Sequence, residues 1–150
     1  MISTKASENL LVVDDDDYVR DISVRFLRKQ GYAVVETGDG KQAIEHLKGD
    51  QPFDLLFIDI VLPGGMNGVE IAEEAKRLQP GIKILLTSGH AMDTLMRKGI
   101  LDPGVTRLCY PVNALMHNGI PKPGVSFLRK PYLSLKLLDK VREALDSGDD

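Results

Sequence analysis

The segment DLLFIDIVLPGGMNG, residues 54–68, places the carboxylate of Asp59 at the end of an apolar run. The run is followed by Pro63-Gly64-Gly65, which interrupts regular structure. Short apolar runs bounded by Pro and Gly predict buried strands, and a strand that is apolar on both faces is typical of a parallel sheet covered by helices. Burying a carboxylate there is costly without a charged or polar partner. We therefore expect the rest of the chain to supply that partner.

Strands and helices alternate along the chain. Four further segments have the composition of strands, and four segments have the apolar spacing of helices. The strands are predicted at 10–13, 32–37, 55–59, 82–86 and 125–129, and the helices at about 17–30, 41–48, 67–78 and 134–146. This alternation predicts an α/β fold, a doubly wound parallel sheet of five strands with helices on both faces.

Residue spacing also predicts how the helices begin and which side faces the sheet. Asn67 and Glu70 have the spacing of a capping box, and Ser134 is a candidate cap for the last helix. Apolar side chains three or four residues apart predict the inner faces of the first and last helices. These side chains are Val19, Ile22 and Phe26 in the first helix, and Leu135, Leu138, Val141 and Leu145 in the last.

An internal duplication interrupts the regular pattern. Residues 92–111 align without gaps on residues 112–131, with nine of twenty positions identical. Unrelated segments of this composition would share about one or two. We predict one domain at 9–146, containing 92–111 as a duplicated insert in an enlarged crossover between the fourth and fifth strands, with flexible ends at 1–8 and 147–150.

Composition excludes several classes of function. The chain has 150 residues and a net charge of -3, which gives no electrostatic reason to expect nucleic-acid binding. No apolar run approaches the roughly 18 residues of a membrane span, and the first residues lack the apolar core of a signal peptide. The single cysteine, Cys109, excludes an internal disulfide. These features predict a cytoplasmic protein without a membrane partner.

Polar residues follow the predicted strands where each one ends. They are Asp14 and Asp15, Asp59, Ser88 and Lys130. Because ligands bind beyond the carboxyl ends of the strands in such sheets, we expect these side chains to converge. Clustered carboxylates suit Mg²⁺, and an ammonium and a hydroxyl suit phosphoryl oxygens. Asp59 is then either a further metal ligand or a nucleophile, and the chemistry indicated is phosphoryl transfer to a carboxylate.

Over residues 9–146 the chain resembles the response-regulator receiver domains of two-component signalling. The motifs LLVVDDDD, DLLFIDIVLPGGMNGVE, ILLTSG and FLRKPY occur in the order of that family. The PGGMNG form and the LDPGV segment are most similar to receiver domains of hybrid histidine kinases. The resemblance implies a flavodoxin-like strand order, 2-1-3-4-5.

The resemblance also implies the acceptor and its metal. Asp59 would accept a phosphoryl group from a histidine kinase or a His-containing phosphotransfer protein. Asp14, Asp15 and Asp59 would hold Mg²⁺ together with the backbone carbonyl of Val61. The protein would catalyse only its own phosphorylation and dephosphorylation, so it would not be an enzyme acting on a separate substrate.

The resemblance implies a switch as well. Ser88 would move toward the phosphoryl group, Lys130 would pair with that group, and Phe127 occupies the position of the switch aromatic. The Lys130–Pro131 bond would be cis. A downstream protein or a second copy of the chain would bind through the face formed by residues 89–145, and the duplication would alter that face.

Two alternatives remain to be weighed. A pseudo-receiver would act as an interaction module without phosphorylation, which the intact acidic pair, Asp59, Ser88 and Lys130 disfavour and the enlarged 89–124 segment favours. An aspartyl-phosphate phosphatase would need a second acid two residues after Asp59, and Val61 stands there. The aliphatic Val61 cannot position an attacking water, which predicts a slow loss of phosphate.

Overall fold

The computed structural model describes residues 8–89, 116–117, 120–121 and 124–147. The duplicated insert 92–111 and the end segments 1–7 and 148–150 lie outside the described residues, as does much of the predicted 89–145 partner face. The strands are β1 (Asn9–Val13), β2 (Ala33–Thr37), β3 (Leu55–Asp59), β4 (Lys83–Ser88), β5 (Met116–His117), β6 (Ile120–Pro121) and β7 (Val125–Arg129). The helices are α1 (Asp17–Lys29), α2 (Gly40–Lys48), α3 (Gly68–Leu78) and α4 (Ser134–Asp146).

Five strands form one parallel sheet in the order β2-β1-β3-β4-β7. Because β7 is the fifth strand of this sheet, the predicted order 2-1-3-4-5 is confirmed. The short strands β5 and β6 pair antiparallel with each other. In the described part of the chain, none of the helices has the length and hydropathy of a membrane span.

The hydrophobic core lies on both faces of the sheet, because successive strand residues point to opposite sides. In β3, Leu56 and Ile58 pack with α2 and α3, whereas Leu55 and Phe57 pack with α1 and α4. Every residue of β3 is buried. The central strand therefore carries Asp59 to an edge of the sheet that is enclosed by protein on both sides.

Helix N-termini close around that edge. Asp16 caps α1 by accepting hydrogen bonds from two backbone N–H groups, and Asn67 forms the predicted capping box with Glu70. Gly68 donates its N–H to the carbonyl of Ile60 at 2.7 Å. A Cβ at Gly68 would lie 2.7 Å from the Cα of Ile60, so only glycine allows α3 to begin this close to the end of β3.

The predicted inner faces of α1 and α4 were partly wrong. Phe26 and Leu135 are 38% and 75% exposed. The fully buried side chains are Ser23, Val24 and Leu27 in α1, and Leu137, Val141 and Ala144 in α4, so Val141 is the one residue of the predicted faces that is fully buried. The two helices share one side of the sheet and contact each other there, so packing between them helps to decide which side chains are buried. The cap of α4 was also wrong: α4 begins at Ser134, its N-cap position is Leu133, and no side chain caps it.

Thr87 lies beside Asp59 on the neighbouring strand and is 1% exposed. Among the described residues, its hydroxyl finds no hydrogen-bond partner. Thr37, at the end of β2, is also buried, but its hydroxyl has hydrogen-bond partners. Its hydroxyl donates to Gln42 Oε1 at 2.7 Å and accepts from the N–H of Asp39 at 3.1 Å. A buried hydroxyl without a partner costs free energy, and a satisfied one does not.

We therefore expect Thr87→Val to raise the free energy of unfolding by about 1 kcal/mol, because it removes an unsatisfied hydroxyl and leaves the volume unchanged. Thr37→Val is the matched control and should lower it by about the same amount, since it leaves the Asp39 N–H without an acceptor. Urea denaturation of both variants measures the difference. A loss of stability in Thr87→Val would contradict the conclusion that the Thr87 hydroxyl has no hydrogen-bond partner among the described residues.

Candidate functional site

Three charged side chains from three strands meet at the carboxyl edge of the sheet. Asp14 follows β1, Asp59 ends β3, and Lys130 follows β7. The Nζ atom of Lys130 lies 2.8 Å from Asp14 Oδ2 and 2.8 Å from Asp59 Oδ2. The partner that the sequence required for Asp59 is therefore the Lys130 ammonium, which it shares with Asp14.

Backbone N–H groups hold the other oxygen of each carboxylate. Asp14 Oδ1 accepts from the N–H of Asp16 at 2.9 Å, and Asp59 Oδ1 accepts from the N–H of Val61 at 3.0 Å. Each carboxylate is thus held by one local turn and by one long-range ammonium. This arrangement fixes the orientation of both carboxylates before any ligand binds.

Burial and the ion pairs of Lys130 act against each other at this site. Asp14 and Asp59 are 3% and 6% exposed. Burial raises the pKa of the Asp59 carboxyl, and the hydrogen bond and charge of Lys130 offset this only in part. Desolvation alone would lower the pKa of Lys130, but its hydrogen bonds to Asp14 and Asp59 outweigh that cost and raise it. Lys130 is therefore a permanent cation between two carboxylates.

Asp15 adds a third carboxylate at the same edge. Its side chain is exposed, and one oxygen from each of Asp14, Asp15 and Asp59 lies within 4.8 Å of the others. A set of hard oxygen donors with excess negative charge fits a hard divalent cation such as Mg²⁺. The arrangement can also place a phosphoryl group between such a cation and an ammonium.

The remaining predicted residues surround this cluster. Ser88 is the last residue of β4 and is fully buried, and its carbonyl accepts from the N–H of Lys130 at 2.8 Å. Phe127 lies in β7 and packs against the core on the α2–α3 side. Val61, just beyond β3, is 43% exposed. The peptide bond between Lys130 and Pro131 is cis.

Two residues at the site make contacts that were not expected from the sequence. Arg20 in α1 turns back and donates from Nη1 to the carbonyl of Asp14 at 2.6 Å. Tyr132 shares a hydrogen bond of 2.8 Å with Ser23 and packs its ring on Phe57, with ring centroids 5.9 Å apart. The signals were an arginine one turn after the acidic run and a tyrosine directly after Lys130-Pro131, but neither pattern identifies its partner.

Comparison with known proteins is consistent across sequence and structure. The sequence model of the family described as response regulator receiver domain matches residues 10–108. The response regulator receiver protein CpdR of Brucella abortus is 38% identical over 84 residues, which cover 56% of this chain and 68% of that protein. Sensor kinase CckA of the same organism is 31% identical over 146 residues, covering 95% of this chain but only 13% of the kinase.

Solved structures agree. A CheY-like receiver domain protein from Methanospirillum hungatei is 28% identical with a TM-score of 0.71, covering 94% of this chain and 95% of that one. The receiver domain of the hybrid histidine kinase CckA is 26% identical with a TM-score of 0.65, covering 92% and 99%. With this fold, this carboxylate–lysine cluster and a family match over most of its length, the chain belongs to the response regulator receiver domain family.

Proposed function

We propose that the chain is a phosphoacceptor in a two-component phosphorelay and that it takes a phosphoryl group from a phosphohistidine onto Asp59. The observation that carries this proposal is the position of Lys130 Nζ, 2.8 Å from both Asp14 and Asp59. A buried carboxylate beside a fixed ammonium, and next to further oxygen ligands, suits the transfer of a charged group to that carboxylate. The donor is a histidine kinase or a His-containing phosphotransfer protein.

The proposed step is a displacement at phosphorus. An Asp59 carboxylate oxygen forms a bond to phosphorus while the N–P bond of phosphohistidine breaks, and the electron pair of that bond stays on the imidazole nitrogen. The product is an acyl phosphate on Asp59. Lys130, which holds Asp59 Oδ2 in the unmodified chain, is placed to pair with a phosphoryl oxygen. The chain acts only on itself in this step.

The metal of the proposed site is Mg²⁺, which would neutralise phosphoryl charge when bound. Asp14, Asp15 and Asp59 would hold it together with the backbone carbonyl of Val61. The donor chemistry supports this assignment, because all three side-chain ligands are carboxylates and they lie close together. Asp15 is the exposed member of the set, so it is the one that incoming ions and water reach most freely.

The proposed output is a change at the edge of the sheet that β4 and β7 form. Ser88 would move toward the phosphoryl group and Phe127 would respond. Support comes from their adjacency, since Leu86 and Ser88 pair in register with Phe127 and Arg129. A downstream protein or a second copy of the chain would read this change through the 89–145 face. We place the domain at 9–146, with 92–111 as an insert, and assign it to the cytoplasm.

A pseudo-receiver is the second candidate. One observation favours it: Lys130 pairs with both Asp14 and Asp59, so part of their buried charge is balanced without a metal or a phosphoryl group. In that case the chain would bind partners in one state only. The two candidates differ in their response to phosphoryl analogues.

We expect acetyl phosphate or beryllofluoride, added with Mg²⁺, to shift backbone amide NMR signals around Asp59, because the modified carboxylate recruits Lys130 and the neighbouring backbone. Asp59→Asn should abolish this response. Asp54→Asn is the matched control, since Asp54 precedes the same strand at the opposite edge and binds the N–H of Asn9 at 2.8 Å. No response in the unaltered chain, with no Mg²⁺ binding, would favour the pseudo-receiver.

The raised pKa of Asp59 predicts a pH-dependent effect on stability. A carboxyl whose folded pKa lies above its unfolded value of about 3.9 contributes stability at low pH that is lost as pH rises through the folded pKa. Asp59→Asn should therefore raise the melting temperature at pH 7, and this gain should shrink as the pH falls toward about 4. Calorimetry at both pH values measures the difference.

Magnesium should reverse the order of the two melting temperatures at pH 7. It should raise the melting temperature of the unaltered chain more than that of Asp59→Asn, because it binds the folded site and needs the carboxylate. A lower melting temperature for Asp59→Asn at pH 7 without Mg²⁺ would contradict the conclusion that burial destabilises the charged Asp59 carboxylate.

Val61 predicts a long-lived acyl phosphate. Its exposed aliphatic side chain lies two residues after Asp59 and cannot orient an attacking water, whereas its backbone N–H holds Asp59 Oδ1. Val61→Asn keeps the backbone contact and adds hydrogen-bonding groups, so it should shorten the phosphoryl lifetime severalfold. Decay of labelled phosphoprotein measures both lifetimes. A lifetime of seconds in the unaltered chain would refute this prediction.

A further inference from the structure

The peptide group that joins Asp14 to Asp15 connects two of the proposed metal ligands. Asp14 is held at its N–H by the carbonyl of Thr37 at 3.2 Å, and at its carboxylate by the contacts already described. Asp15, in contrast, is exposed and makes no side-chain hydrogen bond or ion pair among the described residues. The direction in which Asp15 projects therefore depends on the plane of this peptide group.

One side chain holds that plane. Arg20 donates from Nη1 to the carbonyl oxygen of Asp14 at 2.6 Å. The same guanidinium donates from Nη2 to Asp17 Oδ1 at 2.8 Å and from Nε to Glu36 Oε1 at 3.1 Å. Its side chain is 17% exposed. Three acceptors on three different segments therefore hold the planar guanidinium. Only an arginine side chain can donate to all three of them at once.

Gly38 provides the space for this contact. A Cβ at Gly38 would lie 2.8 Å from Arg20 Nη1 and 3.4 Å from the carbonyl oxygen of Asp14. It would also lie 3.6 Å from the Cα of Asp15. A side chain at Gly38 would displace the guanidinium, whereas its distances to the acidic loop are ordinary van der Waals contacts. The β2–α2 turn and Arg20 therefore enclose the Asp14–Asp15 peptide from two sides.

We propose that Arg20 is a positioning residue that orients Asp15 for Mg²⁺ through the carbonyl of Asp14. This inference rests on the proposed function, because it concerns the metal of that site. Residues behind the ligands of a metal set the geometry of those ligands, and losing one lowers metal affinity about tenfold or more. Arg20 has this role here although it contributes no ligand atom.

The direction in which Mg²⁺ affinity changes when Arg20 is replaced distinguishes a positioning role from a purely electrostatic one. Arg20 is a cation near three carboxylates, so removing its charge should strengthen Mg²⁺ binding if it acted only through Coulomb repulsion of the metal. Removing it should weaken Mg²⁺ binding if it positions Asp15. A role only in folding would change the melting temperature and leave the Mg²⁺ affinity of the folded protein unchanged.

The test measures Mg²⁺ affinity of the full chain by NMR titration. Arg20→Gln should weaken binding by about tenfold. Arg20→Lys should also weaken it, since an ammonium cannot bridge the three acceptors in one plane. Gly38→Ala should weaken it without any change in charge. Arg25→Gln is the matched control: Arg25 lies on the same helix in an exposed ion pair with Asp21, and its loss should change affinity less than twofold.

A double-mutant cycle tests the route through Asp15. In Asp15→Asn, adding Arg20→Gln should lower affinity much less than it does in the unaltered chain. An equal loss in both backgrounds would overturn the proposal. So would unchanged or tighter Mg²⁺ binding in Arg20→Gln and Gly38→Ala while the unaltered chain binds Mg²⁺. If the unaltered chain binds no Mg²⁺, the proposed function fails and this inference fails with it.

Discussion

The ammonium of Lys130 lies between two buried carboxylates that belong to strands far apart in sequence. Asp14 and Asp59 end neighbouring strands, where nearly all water is excluded, and two negative charges there would repel each other. Lys130 reaches both at 2.8 Å because β7 ends one residue before it, at the same edge. The site depends on this ion pair, and the ion pair in turn depends on the parallel arrangement of the strands.

The sheet makes that arrangement possible in a specific way. Because β3 is buried on both faces, Asp59 at its end is buried as well. Gly68 lets α3 begin against that end, and the capping groups of α1 and α3 satisfy helix N–H groups near it. Among the described residues that flank the carboxylates, Asp15 and Val61 face solvent. In the proposed function, a metal ion and a phosphoryl donor would approach from this side.

The proposed function and the role inferred for Arg20 share one physical feature. In both, charged groups at the site are oriented by neighbouring groups that take no part in the proposed reaction. Backbone N–H groups hold Asp14 and Asp59, whereas Arg20 holds the peptide that leads to Asp15. Such preorganisation reduces the cost of ordering the site when a charged ligand binds. In the proposed role of Arg20, a glycine at position 38 would matter to a metal site that it does not touch.

The amino-acid sequence alone determined the class of fold and the edge at which the site lies. Apolar runs, turn residues and the polar residue at the end of each run are local patterns, so the five strands and the convergence of Asp14, Asp59 and Lys130 could be predicted. The inner faces of α1 and α4 could not. Phe26 and Leu135 have the right spacing, but packing against the sheet and between the two helices buries neighbouring side chains such as Leu27 and Leu137 instead.

Only the tertiary structure decided which groups contact each other at the site. The bond from Arg20 to the Asp14 carbonyl, the space left by Gly38 and the unpartnered hydroxyl of Thr87 depend on segments brought together by folding. No local pattern encodes such contacts, because hydrogen bonds and close approaches are set by distances of a few tenths of an ångström between elements. The sequence supplied the charged groups, and the packing of the sheet and helices decided which of them became partners.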